Sequence, residues 1–268
     1  MPSTEPRIDI IPQTNVELLR ARGDVRGLVQ ALCAGSDPLM RTMAAEHLGE
    51  LREPASIGPL VDALGDPSGP VRDAADSSLI GFGDTAVEAL LGALGDPSAV
   101  KRSHAAGILG RIGSPRAVVG LVARMDDRNQ DVRCYIAGSL AELGPAAVDA
   151  LILALADERP DVRRLAALTL GRIRDERAIT PLIGALADPD PEVLAAAASS
   201  LVAMGDAVVA PVVQKLRSGG TAERFYTAEL LGILGGPDAR AALEAAKGDS
   251  DPNVRRAAEG ALRRLDAD

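Results

Sequence analysis

Aromatic side chains are nearly missing from this sequence, which has two Tyr, two Phe and no Trp in 268 residues. A core of large rings is excluded, and little remains on which nucleobases could stack. Cysteine is equally scarce: Cys33 and Cys134 cannot supply a disulfide framework and read as buried small hydrophobes. The N-terminus lacks the charged, apolar and small-residue order of a signal peptide, so the expected compartment is the reducing cytoplasm. Long apolar runs are lacking too. The longest, Leu194 to Gly205, holds two Ser and stops at Asp206. That is short of the ~20 residues a bilayer span needs, so it reads as a core helix and no membrane partner is expected. Nor is there a basic excess, since 29 Lys and Arg stand against 38 Asp and Glu, a net charge of −9. Such a chain repels polyphosphate at long range, which argues against nucleic acid as a partner.

What is present is 47% hydrophobic and 25% charged residues, enough for a folded chain whose core is aliphatic. The apolar residues recur with a fixed period, a pattern that decides the fold before any single element is assigned. Taking Asp157 to Leu186 as the template, one leucine returns at Leu48, Leu79, Leu109, Leu140, Leu170, Leu201, Leu231 and Leu262, at spacings alternating between 31 and 30. A second anchor follows three residues later, at Leu51, Phe82, Ile112, Leu143, Ile173, Met204, Leu234 and Leu265. Small pairs such as Ala44 and Ala45, Ala105 and Ala106, Ala166 and Ala167, and Ala197 and Ala198 precede the leucine by four and three. Offsets of three, four and seven describe one face of a helix. A second apolar set, for example Ile57, Leu60, Val61 and Leu64, makes each unit a helix pair.

The punctuation agrees. Gly83, Gly113, Gly144, Gly205 and Gly235 end first helices where positive φ is needed. Asp-Pro pairs at Asp37, Asp66, Asp96, Asp188 and Asp251 are expected to cap the next helix. The second-helix anchors start nine residues after the leucine in odd repeats and eight in even ones, so the turn inside the repeat alternates in length. Residues 1–14, with three Pro and no period, read as a flexible tail. Residues 15–268 read as a single solenoid: a capping helix pair at 15–34, repeats over 35–248 and a C-terminal capping helix at 251–265.

The repeated signature, carried by Asp157, Val162, Arg163, Ala166, Ala167, Leu170, Gly171 and Ile173, resembles the HEAT-like repeats of the phycobilisome-lyase type over about residues 35–265. The resemblance implies an all-α, right-handed α-solenoid (an α-α superhelix, armadillo-like) of about seven helix pairs plus terminal caps. First helices would lie on the convex side and second helices would line the concave side. It also implies a scaffold for protein partners.

Arg41, Arg72, Arg102, Arg133, Arg163, Arg224 and Arg255 recur just after the valine position, all but Arg224 four to six residues after an inter-repeat Asp. A ladder of Arg–Asp contacts tying neighbouring repeats is favoured over a phosphate-binding stripe. It lapses at Leu194 and at Ser218–Gly220, so residues 187–224 should be the least regular stretch. The charge is uneven, with the middle at 101–180 basic by three, a scatter attributed to ladder and turn arginines. Two isolated histidines, His47 and His104, cannot hold the two-iron site of the HEAT-like deoxyhypusine hydroxylases and read as packing. No nucleophile triad, phosphate loop or metal spacing stands out, so no cofactor is expected.

The more informative row is the exposed side of the second helices, where small residues recur. Asp62, Glu88, Gly92, Arg116, Arg124, Asp149, Leu153, Thr180, Gly184 and Gln214 form the candidate partner-binding row on the concave face. The same smallness is explained by crowding inside a curved stack, and the two explanations are compatible. The function expected is a monomeric, non-enzymatic protein–protein interaction scaffold. The alternative is a lyase-type enzyme, or a chromophore- or protein-modifying factor related to bilin lyases.

Overall fold

The structure, a computed structural model, describes residues 13–267, with side chains from Val16 onward. Most of the proposed tail, residues 1–12, lies outside the described residues. Gln13 and Thr14, assigned to that tail, instead open the first helix. Every regular element among the described residues is helical. The chain divides into two compact units, Met1–Ser139 and Leu140–Asp268.

In the first unit, α1 (Gln13–Ala21) and α2 (Val25–Ala34) form the N-terminal pair. First helices α3 (Pro38–Leu51), α5 (Gly69–Phe82) and α7 (Ala99–Ile112) then alternate with shorter second helices α4 (Ile57–Ala63), α6 (Val87–Ala93) and α8 (Val118–Val122). Helix α9 (Gln130–Leu143) contains the division between the units. The second unit continues with second helices α10 (Val148–Ala154), α12 (Ile179–Ala185), α14 (Val209–Ser218) and α16 (Pro237–Ala246). Its first helices are α11 (Pro160–Ile173), α13 (Pro191–Met204), α15 (Thr221–Leu234) and the final α17 (Pro252–Leu265). The result is an all-α solenoid.

The recurrent leucine builds the core: Leu48, Leu79, Leu109, Leu140, Leu170, Leu201 and Leu231 are fully buried, among the small residues Ala44, Ala45, Ala105, Ala106, Ala166 and Ala167. Ala198 departs from this pattern and is half-exposed.

The alternation of 30 and 31 has a structural cause, because the true unit is a module of 61 residues made of two unlike repeats. In the first repeat of each module a Gly follows the leucine, at Gly49, Gly110, Gly171 and Gly232. Each Gly lies against the next first helix so closely that an added Cβ would come within 2.7–3.0 Å of a backbone Cα, at Ser78, Ser139, Ser200 and Ala261 respectively. No Cβ fits there. The serines use this approach, since their hydroxyls donate to Ala45 O (3.0 Å), Ala106 O (2.7 Å) and Ala167 O (2.9 Å) in the facing helix. In the next module-to-module step the first helices are joined differently: in the first unit, His104 Nδ1 of α7 lies 2.8 Å from the Asp76 carboxylate of α5.

The turns also follow the module. In the first three modules the first repeat ends on a left-handed residue and takes an extended step before a 3-10 turn. Gly113 fills that position once, while Arg52 (φ 53°) and Arg174 (φ 59°) fill it elsewhere despite their Cβ. Second repeats pass straight into the 3-10 turn through Gly83, Gly144 and Gly205. The helical runs Gln130–Ala154 and Pro191–Ser218 are long and apolar enough to cross a membrane by length and composition. Positive φ at Gly144 and Gly205 breaks each of them into two helices.

Three expected details are corrected. Asp37 and Asp251 do cap their helices, but Asp66, Asp96 and Asp188 sit two residues before the caps Ser68, Ser98 and Asp190, accepting from the N–H of each. The arginine ladder exists at alternate rungs. Arg41, Arg102, Arg163 and Arg224 each make a bidentate pair, and the partner is the aspartate 25 residues ahead: Asp66, Asp127, Asp188 and Asp249. Arg72, Arg133 and Arg255 bond backbone carbonyls of the loop before them instead. Leu194 therefore replaces a carbonyl-binding arginine, and both flanking ion pairs survive. The expected irregularity of 187–224 reduces to a longer second helix, as α14 runs to Ser218.

Candidate functional site

The second helices are short because a 3-10 turn occupies their first residues, and their apolar stripe (Leu60, Leu90, Leu121, Leu151, Leu182) is fully buried. The opposite face is left to solvent. In the first unit this face carries exposed Asp62 on α4 and exposed Glu88 and Gly92 on α6, with Arg116 and Arg124 flanking α8. Arg116 Nη2 donates to Glu88 Oε1 at 2.6 Å, joining two successive second helices. Asp62 accepts from Lys101 Nζ at 3.0 Å, and the same ammonium lies 3.1 Å from Asp96. Gly92 is bare, since a Cβ there would meet nothing within 4 Å. Arg124 extends back over Gly95.

In the second unit the predicted positions are Asp149 and Leu153 on α10, Thr180 and Gly184 on α12, and Gln214 on α14, all exposed. Gly184 is as open as Gly92. Asp149 accepts from Arg177 at 2.9 Å, the pair that matches Glu88–Arg116 one module later. Arg177 also holds Asp175 and donates to Pro145 O. Its hydrogen bond to Asp175 lowers that carboxyl below the usual range and raises the guanidinium. Each unit thus has one bare glycine in the row, Gly92 or Gly184, and an ion pair between successive second helices.

Two contributors escaped the sequence pattern. Val119 on α8 is 76% exposed, a match for Leu153 at 77%, and these are the most exposed of the large apolar side chains among the described residues. Arg177 sits in the 3-10 turn before α12, among the turn arginines that the sequence pattern treats as scatter. Its spacing of 61 from Arg116 is the signal that could have found it.

The histidines are more than packing. Buried His47 lies between Glu50 (3.3 Å) and Glu17 (3.5 Å), and His104 pairs with Asp76. The cysteines are corrected outright, since Cys33 and Cys134 are both exposed free thiols. Among the described residues no three His, Cys, Asp or Glu side chains gather as a metal-binding group.

The first-helix side, which offered no sequence motif, carries open clefts beside the tight glycine contacts. The cleft between α3 and α5 is lined by Glu46, Glu50, Arg52 and Asp73, and the one between α11 and α13 by Leu168, Arg172, Arg174 and Ser199. A third, between α15 and α17, is lined by Phe225, Tyr226 and Arg256.

Comparison with known proteins places these repeats. Residues 77–141, 118–202 and 148–223 match the family described as HEAT repeats, together spanning more than half of the chain. Residues 40–66 match the PBS lyase HEAT-like repeat. A 63-residue stretch, 23% of the chain, is 44% identical to phycocyanobilin lyase subunit beta of Thermosynechococcus vestitus. The match spans 30% of that relative's length. The karyopherin Kap121p, solved bound to the extreme C-terminus of the protein phosphatase Cdc14p, superposes on 97% of the chain and 34% of its own at 13% identity, with a TM-score of 0.54. The complex of CpcE and CpcF of phycocyanin lyase from Nostoc sp. PCC7120 aligns over 99% of both chains at 21% identity, with a TM-score of 0.33. The likeness to Kap121p speaks to the fold alone.

Proposed function

The chain belongs to the HEAT-repeat family, and on that premise we propose that it is a non-enzymatic scaffold that binds a protein partner along the exposed faces of its second helices. The observation that carries this reading is the placement of Val119 and Leu153, three-quarters exposed on α8 and α10 beside bare or small positions. A large aliphatic side chain gains about 1.5–3 kcal/mol when a partner covers it. The ion pairs Glu88–Arg116 and Asp149–Arg177 border these residues as a polar rim does at an interface. The scaffold acts as a monomer in the cytoplasm.

A photo-crosslinking amino acid placed at Val119, and separately at Leu153, tests this reading in cells. Both positions should capture the same partner, whereas capture from Ser77 on α5 or Ala195 on α13 in their place would overturn it. A second reading is favoured by the 63 residues shared with a phycocyanobilin lyase subunit. On that reading the chain serves a chromophore- or protein-modifying reaction, and bilin transfer to an acceptor protein that requires this chain would select it.

A further inference from the structure

The 61-residue modules are an internal control on what packing requires. Gly232 of α15 approaches Ala261 of α17 as closely as Gly171 of α11 approaches Ser200 of α13. Positions 61 residues apart therefore sit at equivalent places on equivalent helix pairs. At the place of Phe225 the earlier modules hold Thr42, Ser103 and Arg164; at the place of Arg256 they hold Asp73, Cys134 and Ala195. The fold thus tolerates a hydroxyl or a guanidinium where the last module puts a ring, and a carboxylate, a thiol or a methyl where it puts a cation. Packing does not call for either.

Yet two of the four rings in the chain are adjacent here. Phe225 and Tyr226 meet edge to face, with centroids 5.1 Å apart and planes at 83°. They line an open cleft of about 710 Å³ together with Thr221, Glu229, Asn253 and Arg256. Glu229 accepts from Arg264 at 2.8 Å, so its charge is matched. Arg256 has no hydrogen-bond or ion-pair partner among the described residues. The charged side chains lining the cleft are Arg256 and Glu229, and because Arg264 matches Glu229 the charge left unmatched there is positive.

We propose that this cleft docks a segment of a protein partner that presents an aromatic or branched aliphatic side chain next to carboxylates. The rings take the apolar side chain, in the size class that dominates interface energetics. The free guanidinium takes a carboxylate through its planar pair of donors. The proposal rests on the reading of the chain as a protein-binding scaffold, but it uses the first-helix side of the second unit rather than the second-helix row.

The test is amide NMR titration of the full chain with the acetylated, amidated pentapeptide Asp-Glu-Phe-Asp-Glu. Two control peptides replace its Phe by Ala or its four acids by Lys. Shifts should be confined to α15 and α17, both controls should bind more weakly, and added salt should loosen the acidic peptide. Phe225→Thr and Arg256→Ala each install the residue an earlier module already holds, so both should keep the wild-type helical signal. Each should weaken binding about tenfold, as loss of an interface anchor does. No localised shifts at saturating peptide, equal binding by the Lys peptide, or equal binding by both variants would each overturn the proposal. Leu153→Arg should leave peptide binding unchanged, so failure of this cleft and failure of the second-helix row are separable.

Discussion

Replacing Gly171 by Ala perturbs the feature that organises the stack. On an exposed helix the change stabilises by about 1 kcal/mol, because Ala has the higher propensity. At Gly171, which is buried, the new methyl would sit 2.5 Å from Ser200 Cβ and 2.8 Å from its Cα. Ordinary carbon contact needs about 3.5–4.0 Å, so α11 and α13 must separate by about 1 Å. The obstacle is backbone, which cannot swing aside, and the separation also stretches the Ser200–Ala167 hydrogen bond of 2.9 Å. Overpacking of this kind costs about 1–3 kcal/mol, and the upper part of the range applies, leaving a net loss of about 2 kcal/mol after the propensity gain. Urea unfolding followed by the helical signal reads this as a lower midpoint. Gly184→Ala, whose Cβ meets nothing within 4 Å, should raise the midpoint instead. Ser200→Gly should recover part of the loss in the Gly171→Ala background, with a coupling of about 1–2 kcal/mol. A Gly171→Ala protein as stable as Gly184→Ala, or a double variant without coupling, refutes the close approach on which the 61-residue module rests.

The rungs of the arginine ladder should differ in weight. Arg102→Met strands the Asp127 carboxylate, whose side chain is 8% exposed, and should cost about 3–5 kcal/mol. Arg133→Met removes a bond to a backbone carbonyl and should cost about 1 kcal/mol, a contrast that urea midpoints resolve. Hydrogen bonds from arginine hold Asp66, Asp188 and Asp249 below the usual carboxylate range, and at Asp127 they do so against strong desolvation. Depressed folded values mean stability that is present above the unfolded value of about 4 and lost as pH falls through the folded ones. Thermal unfolding should therefore deteriorate below about pH 4, and less steeply in Arg102→Met; an unchanged slope there contradicts the assignment. Both thiols should react with a water-soluble disulfide reagent in the native chain, at rates unaffected by mild denaturant, because Cys33 and Cys134 are exposed.

The helix pairs were legible because burial acts on every turn: each fully buried leucine repeats a demand that the sequence must answer at a fixed spacing. The module was half legible. Alternating turn lengths showed that repeats are of two kinds, but the reason lies in which atom each Gly faces on another helix. A register of 61 over Gly49, Gly110, Gly171 and Gly232 carries that information. Arginine partners were misread because an Asp near in sequence competes with one 25 residues ahead, and helix geometry decides for the distant one. The cysteines were judged by residue type alone. Cys134 shares its module position with Asp73, Ala195 and Arg256, and the two charged residues among them mark a solvated face. The second-helix row was found by its smallness, while Val119 and the cleft at Phe225 have no period and emerge from exposure and grouping.

The central claim, that a partner lies along the bare faces of the second helices, is tested most directly by Gly92→Arg combined with Gly184→Arg. Neither position has an atom within 4 Å of the added Cβ, and both glycines lie inside helices. The double variant should keep or raise its melting temperature, since each change removes a helix penalty of about 1 kcal/mol. Binding of the partner captured from Val119 and Leu153 is then measured for both proteins by calorimetry. Loss of that binding in a folded double variant is the predicted result, and wild-type affinity in the same folded protein would contradict the account.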